Sequence, residues 1–475
     1  MLFNTYQFAL FFLIVYPLYL ISGHKWQNRI LLVSSYIFYG CWDWRFLSLL
    51  ALTTAIDHYC AVKIYGTEDI RRRKFFLGIS VCSNLTVLGF FKYFNFFASS
   101  LQDLLSVFGL HAEMRFLNII LPVGISFYTF QSLSYTIDVF RRNLKPAPRL
   151  QDFALFVSYF PQLVAGPIER ATHLLPQVLA PRRISIDRFF EGCYLIFWGL
   201  FEKVYIADNL AKTADAVFSA PAPYNGIQVL LALYAFAFQI FCDFDGYSNM
   251  ARGLGRIMGF DIMVNFNLPY FSTDPREFWQ RWHISLSTWL KDYLYIPLGG
   301  NRRGELITYR NLALTMLIGG LWHGAAWTFV AWGAYHGMLL VLYRIFQPYL
   351  AKVPLIKSRL MNGAWTFVRA VFFFHLVCAG WLLFRAGSMA QAWDMLYAVL
   401  YNLRVTQYTP IPSYFWLMAS SLSILLIVQL SQRARGDLMA VFKWPRALKT
   451  ALYGIMFYLI LFYASPGYHF IYFQF

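Results

Sequence analysis

Apolar runs of membrane-crossing length recur along most of this 475-residue chain. An α-helix needs ~20 such residues to cross the ~30 Å hydrocarbon core, where lipid offers open backbone groups no partner. The pattern therefore predicts an all-α polytopic membrane protein with about 11–13 transmembrane and re-entrant helices. The predicted segments are 5–22, 30–41, 46–65, 75–91, 93–107, 116–137, 150–166, 188–206, 227–242, 306–322, 325–345, 366–384, 412–430 and 450–465.

Charge is scarce and strongly basic, at 13% of residues with a formal net charge of +17. The basic residues form short clusters between the apolar runs. That placement is typical of cytoplasmic loops that contact anionic lipid, and it argues against a nucleic-acid partner. The six cysteines are scattered without a CxxC pair, so neither a disulfide framework nor a zinc site is predicted. No metal and no permanently bound cofactor are expected.

The basic clusters also predict an orientation. If 66–74 and 433–449 are cytoplasmic, the last apolar segment, 450–465, runs outward. The residues that follow, 466–475, then lie on the extracytoplasmic side. We call residues 466–475 the C-terminal tail; they include the aromatic stretch FIYFQF with one phenol, Tyr472.

The stretch 243–305 is rich in Gly, Pro, Trp and charge, and it lacks a long apolar run. Irregular polar backbone at membrane depth is tolerated where it lines a cavity, which makes this stretch a candidate for function. Within FWQRWHISLSTWLKDYLYIPLGG, aromatic and leucine side chains recur at spacings of three and four, which predicts one helix face ending before Pro297. His283 falls outside that stripe, as either a core residue or a catalyst.

A second histidine stands in the apolar stretch GGLWHGAAWTFVAWGAYHG, from Gly319 to Gly337. His323 is flanked by glycine and alanine, which permit close helix approach or leave room for a ligand. A low-dielectric site favours the neutral imidazole, which is the form that a general base requires. His336 lies at the far end of the same segment, where packing is the expected role.

These two stretches resemble the membrane-bound O-acyltransferase family, most closely its bacterial branch that serves alginate O-acetylation and teichoic-acid D-alanylation. Further similar stretches are LPVGISFYTFQSLSYTIDVF (121–140), YFPQLVAGPIER (159–170), QIFCDFDGYSNMARGLGRIMGF (239–260) and GWLLFRAGS (380–388). The chain departs from the family pattern at Asp245, Asn249 and Lys291, and it keeps both histidine motifs.

The resemblance implies a ring of tilted helices around a central funnel and acyl transfer from a thioester to a hydroxyl. It implies His323 as the essential catalytic residue, His283 as the second polar position and Tyr472 as the acyl acceptor. Four further residues are expected to contact substrate or line the chamber: Asp243, Trp322, Trp279 and Arg385. Asp243 and Arg385 could equally form buried ion pairs.

The same resemblance implies an inner-membrane domain, 1–465, and an extracytoplasmic acceptor tail, 466–475. Acetyl-CoA is the expected donor, and a periplasmic acetyltransferase of SGNH type is the expected partner. An exopolysaccharide such as alginate or cellulose is the expected final acceptor. Two alternatives stay open: transfer of D-alanyl or lipid acyl groups, and a proton-coupled transporter in which His323, Asp243 and Asp245 form a relay.

Overall fold

The computed structural model describes residues 1–111, 114, 116–164, 166–350, 352, 358–404 and 411–465. Within these residues the regular elements are helical, as the apolar pattern predicts. The α-helices are α1 Tyr6–Leu20, α2 His24–Asp43, α3 Phe46–Tyr65, α4 Ile70–Leu88, α5 Phe94–Val107, α6 Ile125–Phe140, α7 Leu150–Ser158, α8 Phe160–Leu163, α9 Ala171–Leu179, α10 Ile186–Phe201, α11 Asp208–Phe218, α12 Gly226–Ile257, α13 Pro275–Arg281, α14 Ile284–Leu290, α15 Glu305–His323, α16 Trp327–Leu350, α17 Arg359–Arg385, α18 Met389–Tyr401, α19 Ile411–Arg435 and α20 Arg446–Tyr463.

Short π-helical and 3₁₀ segments lie between several of these helices. Segments of π-helix cover Gly89–Tyr93, Glu202–Ala207 and Lys291–Tyr295, and 3₁₀ turns cover Pro269–Phe271 and Ala440–Lys443.

Seven helical segments in the described part of the chain are long and apolar enough to cross a membrane. They are Phe46–Tyr65, Ile70–Val107, Gly226–Ile257, Trp327–Leu350, Arg359–Arg385, Phe415–Arg435 and Arg446–Tyr463. A multi-pass α-helical membrane protein is therefore confirmed.

The chain divides into two compact units: Met1–Ile196 with Met250–Met263, and Phe197–Asn249 with Val264–Phe475. In the first unit the buried Asp57 carboxylate, on α3, accepts hydrogen bonds from Ser80 and Asn84 on α4. A buried carboxylate is tolerated when such donors surround it. Both histidine motifs belong to the second unit.

In the second unit, glycines let α15 and α16 approach each other closely. A Cβ on Gly320 would lie 2.3 Å from the Phe329 carbonyl oxygen, and one on Gly333 would lie 2.4 Å from that of Met316. Small residues permit this backbone contact, which is common between membrane helices. The contact fixes the end of α15, where His323 lies, against the beginning of α16.

Several predicted elements differ from the structure. Segment 116–137 is α-helical only from Ile125, 150–166 is divided into α7 and α8, and 75–91 with 93–107 form one helical segment, Ile70–Val107. The predicted segment 227–242 is the first half of α12, which continues as a helix to Ile257. The predicted aromatic face from Trp279 to Tyr293 is interrupted, because α13 ends at Arg281 and α14 begins at Ile284. Helical spacing persists on both sides of the break, so the pattern of apolar residues conceals it.

Candidate functional site

The break between α13 and α14 places His283 in the second unit's core. Trp282 is extended, and His283 has a left-handed backbone with φ 43°. This conformation costs a residue with a Cβ roughly 1–2 kcal/mol and persists only where neighbouring contacts impose it. The imidazole of His283 is fully buried and does not continue the helix face formed by the aromatic side chains.

Asn265 supplies those contacts, and the sequence analysis did not identify it. Its side-chain oxygen accepts a hydrogen bond from the Ser285 backbone N–H at 3.3 Å, which fixes the orientation of the amide. The same oxygen lies 3.1 Å from His283 Nδ1. Nδ1 must therefore carry the proton, and the lone pair of the neutral ring is on Nε2. An asparagine within the apolar run MVNFNLPYF was the available signal for a buried polar role.

His323 is the last residue of α15, because the backbone becomes extended at Gly324. Its buried ring is surrounded by aromatic side chains at centroid distances of 5.0 Å to Trp322, 5.0 Å to Trp332 and 5.4 Å to Phe384. The structure therefore brings Trp322 beside the histidine, and its role in lining a substrate chamber stays a prediction.

The two histidines lie next to each other, with ring centroids 6.3 Å apart. Trp322 also packs against His283, with a distance of 6.0 Å between the ring centroids. Phe244, on α12, packs edge-on against the His283 ring at 4.7 Å. Two buried imidazoles in an aromatic surrounding can take up and release a proton, and they can donate a hydrogen bond to a developing oxyanion.

A cavity of about 580 Å³ reaches His323. It follows one face of α15 from Leu312 to His323, a rise of ~16 Å at 1.5 Å per residue, and it includes Gly319. Trp279 and Trp332 also line the cavity, and Trp332 packs against His323. Contact of Trp279 with a substrate stays a prediction.

Three basic residues, Arg276, Lys291 and Arg344, also line the cavity, and we call them its basic rim. Arg344 also forms an ion pair with Glu305 at 2.7 Å. The cavity therefore joins a rim that can attract anionic groups to an apolar interior that ends at an imidazole.

Asp243 takes part in a buried ion pair. Lys203 Nζ lies 2.7 Å from a carboxylate oxygen of Asp243 and 2.7 Å from one of Asp208. All three side chains are 2–3% exposed. Of the two roles left open for Asp243, the geometry favours the structural one, because removal of any partner leaves a buried charge uncompensated.

Arg385 also forms an ion pair, with its guanidinium 2.6 Å from the Asp215 carboxylate. It follows Phe384 in the chain, which packs against His323. Arg385 therefore lies one residue from the histidine's aromatic surrounding and bonds α17 to α11.

The departures from the family pattern at Asp245 and Asn249 lie beside Glu202. The Asn249 amide donates to the buried Glu202 carboxyl at 3.1 Å. Asp245 lies beside the same carboxyl, close enough to interact with it. The substituted residues therefore form one polar network with Glu202.

Tyr472 and the rest of the C-terminal tail lie outside the described residues. The described chain reaches Ser465, two residues beyond the end of α20. Where the structure describes the chain, no three His, Cys, Asp or Glu side chains gather as a metal-binding group.

The chain was compared with known proteins. Residues 74–384 match the model of the membrane-bound O-acyltransferase family, MBOAT. A protein of Pseudomonas aeruginosa named probable alginate O-acetylase is 45% identical over 402 residues, which cover 84% of this chain and 75% of that protein. The peptidoglycan O-acetyltransferase of Helicobacter pylori is 36% identical over 428 residues, covering 83% and 79% respectively. The teichoic acid D-alanyltransferase of Bacillus subtilis is 30% identical over 279 residues, covering 56% and 69%.

Proposed function

This chain belongs to the membrane-bound O-acyltransferase family and is a multi-pass acyltransferase, and on that premise we propose the reaction it performs. It transfers an acetyl group from cytoplasmic acetyl-CoA through the bacterial inner membrane for O-acetylation of an exopolysaccharide. The names of the Pseudomonas and Helicobacter relatives support an acetyl group and a polymer acceptor. The observation that carries the proposal is the cavity that joins a basic rim to His323.

The cavity suits a coenzyme A thioester. Arg276 and Lys291 on the rim can bind phosphates, and the apolar interior can hold the extended pantetheine arm. The rim belongs to the side that basic loops predict to be cytoplasmic, since the guanidinium of Arg433 stacks on Phe271, a few residues before Arg276. In this placement the thioester carbon reaches His323.

The acceptor in this proposal is the Tyr472 hydroxyl. A phenol with an ordinary pKa near ~10 needs a base to become a nucleophile at neutral pH. His323 takes the phenolic proton while the oxygen attacks the thioester carbonyl. The new C–O bond forms, the C–S bond breaks, and the proton passes from His323 to the departing sulfur, so that free CoA and an O-acetyl tyrosine result.

His283 acts beside this step. Its Nδ1–H is held by Asn265, so its Nε2 can accept a proton or orient His323. A phenyl ester is an activated acyl donor. A periplasmic acetyltransferase of SGNH type can therefore take the acetyl group from Tyr472 and transfer it to a hydroxyl of the polysaccharide.

The test uses the full chain, purified in lipid nanodiscs, with isotopically labelled acetyl-CoA and mass analysis of the terminal peptide. Wild type should carry acetyl on Tyr472. His323→Ala should slow labelling by ~10²–10⁴-fold, the usual contribution of a general base. Tyr472→Phe should abolish labelling of that peptide.

His375→Ala is the matched control, because His375 is exposed on α17 and bonds to Tyr234 away from the cavity. It should label like wild type. An unlabelled wild-type tail, together with full polymer acetylation by Tyr472→Phe, would exclude the tyrosine relay.

The match to the Bacillus D-alanyltransferase points to a second acyl donor, a D-alanyl thioester on a carrier protein. Supplying that thioester in place of acetyl-CoA distinguishes the two donors, and we expect labelling of Tyr472 with acetyl-CoA alone. Transfer to a lipid would instead give labelled lipid and an unlabelled Tyr472. The proton-coupled transporter is not retained, because the chain is an acyltransferase and Asp243 is bonded to Lys203.

A further inference from the structure

The last described residues of the chain converge on one buried side chain, Asn209. Its amide nitrogen donates to the Tyr463 carbonyl at 2.8 Å and to the Tyr205 carbonyl at 2.8 Å. Its amide oxygen accepts from the Ser465 hydroxyl at 2.9 Å and from Lys212 Nζ at 3.3 Å. Two of these four bonds therefore hold the residues immediately before the C-terminal tail.

Ser465 is itself 2% exposed, so the root of the tail is buried rather than loosely attached. The end of a chain is normally poorly ordered unless specific contacts hold it. The last backbone carbonyl groups of a helix such as α20 can also be hydrogen-bonded by water. The burial of Ser465 shows that the chain is still held two residues past the end of α20.

Asn209 lies next to a buried cluster of charged side chains in α11 and its neighbours. It follows Asp208, which belongs with Lys203 and Asp243 to the buried ion cluster. Asp243 is adjacent to Phe244, which packs on His283. The root of the tail is thus connected to the histidine pair through consecutive buried contacts.

A second path leads from Asn209 to His323. On α11, Asp215 lies six residues further along, a rise of ~9 Å. Asp215 pairs with Arg385, and the neighbouring Phe384 packs on His323 at 5.4 Å. Tyr472 is seven residues beyond Ser465, and seven extended residues span at most ~23–25 Å. A reaction within one chain requires Ser465 and His323 to lie within that reach.

We propose that Asn209 is a positioning residue for the acceptor. It fixes where the tail leaves α20 and thereby raises the effective concentration of the Tyr472 hydroxyl at His323 of the same molecule. This inference rests on the proposed relay through Tyr472. An anchored, correctly placed chain end makes its reaction intramolecular, and a displaced one loses that advantage without any change at the reacting groups.

The experiment separates positioning from chemistry with two acceptors. One assay measures the rate of acetyl labelling of Tyr472 within the chain. The other uses Tyr472→Phe protein and follows acetyl transfer to the added synthetic peptide FIYFQF. Asn209→Ala should slow the first reaction by ~10-fold or more and leave the second within twofold of its parent.

Ser465→Ala provides a milder variant, because it removes one bond and leaves the Asn209 donors satisfied. We expect a ~3–5-fold slower intramolecular reaction and unchanged transfer to the peptide. If Asn209→Ala fails to fold, this variant decides the question. Asn402→Ala is the matched control, since the Asn402 amide donates to the distant Tyr224 carbonyl at 2.7 Å and should affect neither assay.

The outcomes are distinct. Loss of both reactions together in the folded variants, or of neither, overturns the positioning role of Asn209. A wild-type tail that is never labelled overturns the relay first, and the positioning role with it. Loss of the intramolecular reaction alone supports the inference.

Discussion

At the scale of single residues, His283 depends on a neighbour that is distant in sequence. The side-chain oxygen of Asn265 accepts hydrogen bonds from Nδ1 of that imidazole and from the backbone N–H and hydroxyl of Ser285, in the first turn of α14. The sequence identified the histidine because an ionisable side chain stands out in an apolar segment. It could not identify Asn265, because nothing in the spacing pairs residues 18 positions apart across a loop.

Replacing Asn265 should therefore impair catalysis through His283. In Asn265→Ala we expect kcat to fall on the order of 10-fold with KM little changed, because the lost bond, worth ~0.5–1.5 kcal/mol, orients a reacting group. Steady-state kinetics with acetyl-CoA measure this. Ser248→Ala is the control, since it removes only the hydroxyl that Asn265 Nδ2 contacts at 3.3 Å. Equal effects of the two substitutions would contradict the assignment.

A second residue-scale prediction concerns pH and the first unit. His173 Nδ1–H donates a hydrogen bond to the buried Glu169 carboxylate at 2.7 Å, which raises the pKa of that imidazole above its ordinary value. Glu169 also accepts the Met263 backbone N–H. A raised folded-state pKa stabilises the fold fully below the unfolded value of ~6.5, and the contribution is lost as pH rises through the raised value.

We therefore expect His173→Gln to lower the melting temperature at pH 6 and to match wild type near pH 9. Thermal unfolding of both proteins across that range measures the difference. His375→Gln, at an exposed histidine of α17, should show no such dependence. A difference that stays constant with pH would show that the ionic contact is not the cause.

At the scale of elements, close contact between α15 and α16 determines where His323 lies. Gly333→Ala should destabilise the protein by ~1–3 kcal/mol or more, because its Cβ would overlap backbone atoms at Met316 and Leu317 that cannot move independently. The melting temperature and acetyl transfer should both fall.

Gly363→Ala provides the comparison for that substitution. It lies within α17, and a Cβ there meets nothing within 4 Å. Because alanine is the better helix former, we expect an unchanged or slightly higher melting temperature. Similar losses from both substitutions would argue against a specific α15–α16 contact.

Most helices were predictable as elements, and their ends were not. Segment 306–322 corresponds to α15 and 46–65 to α3, because long apolar runs specify membrane helices directly. The break at Trp282–His283 was missed. Its cause is a set of tertiary hydrogen bonds around Asn265, while the local residues still repeat every three or four positions.

At the scale of the whole molecule, the basic loops predict which side of the membrane each helix end occupies. With all six cysteines replaced, Ala434→Cys, in the exposed last turn of the outward-to-inward helix α19, should react with a membrane-impermeant maleimide only after permeabilisation. Ala390→Cys, in the exposed first turn of α18, should react in intact spheroplasts. The reverse labelling pattern would invert the proposed donor and acceptor sides.

The sequence alone determined the class of protein, the family and the two histidine motifs, because membrane helices and motifs depend on local composition and residue spacing. It also marked Tyr472 as an acceptor, which stays a proposal. Only the tertiary structure decided that Asp243 and Arg385 form ion pairs, that Asn265 holds His283, and that Asn209 holds the root of the tail. Each of these is a contact between distant segments, and buried polar groups find their partners in space rather than in sequence.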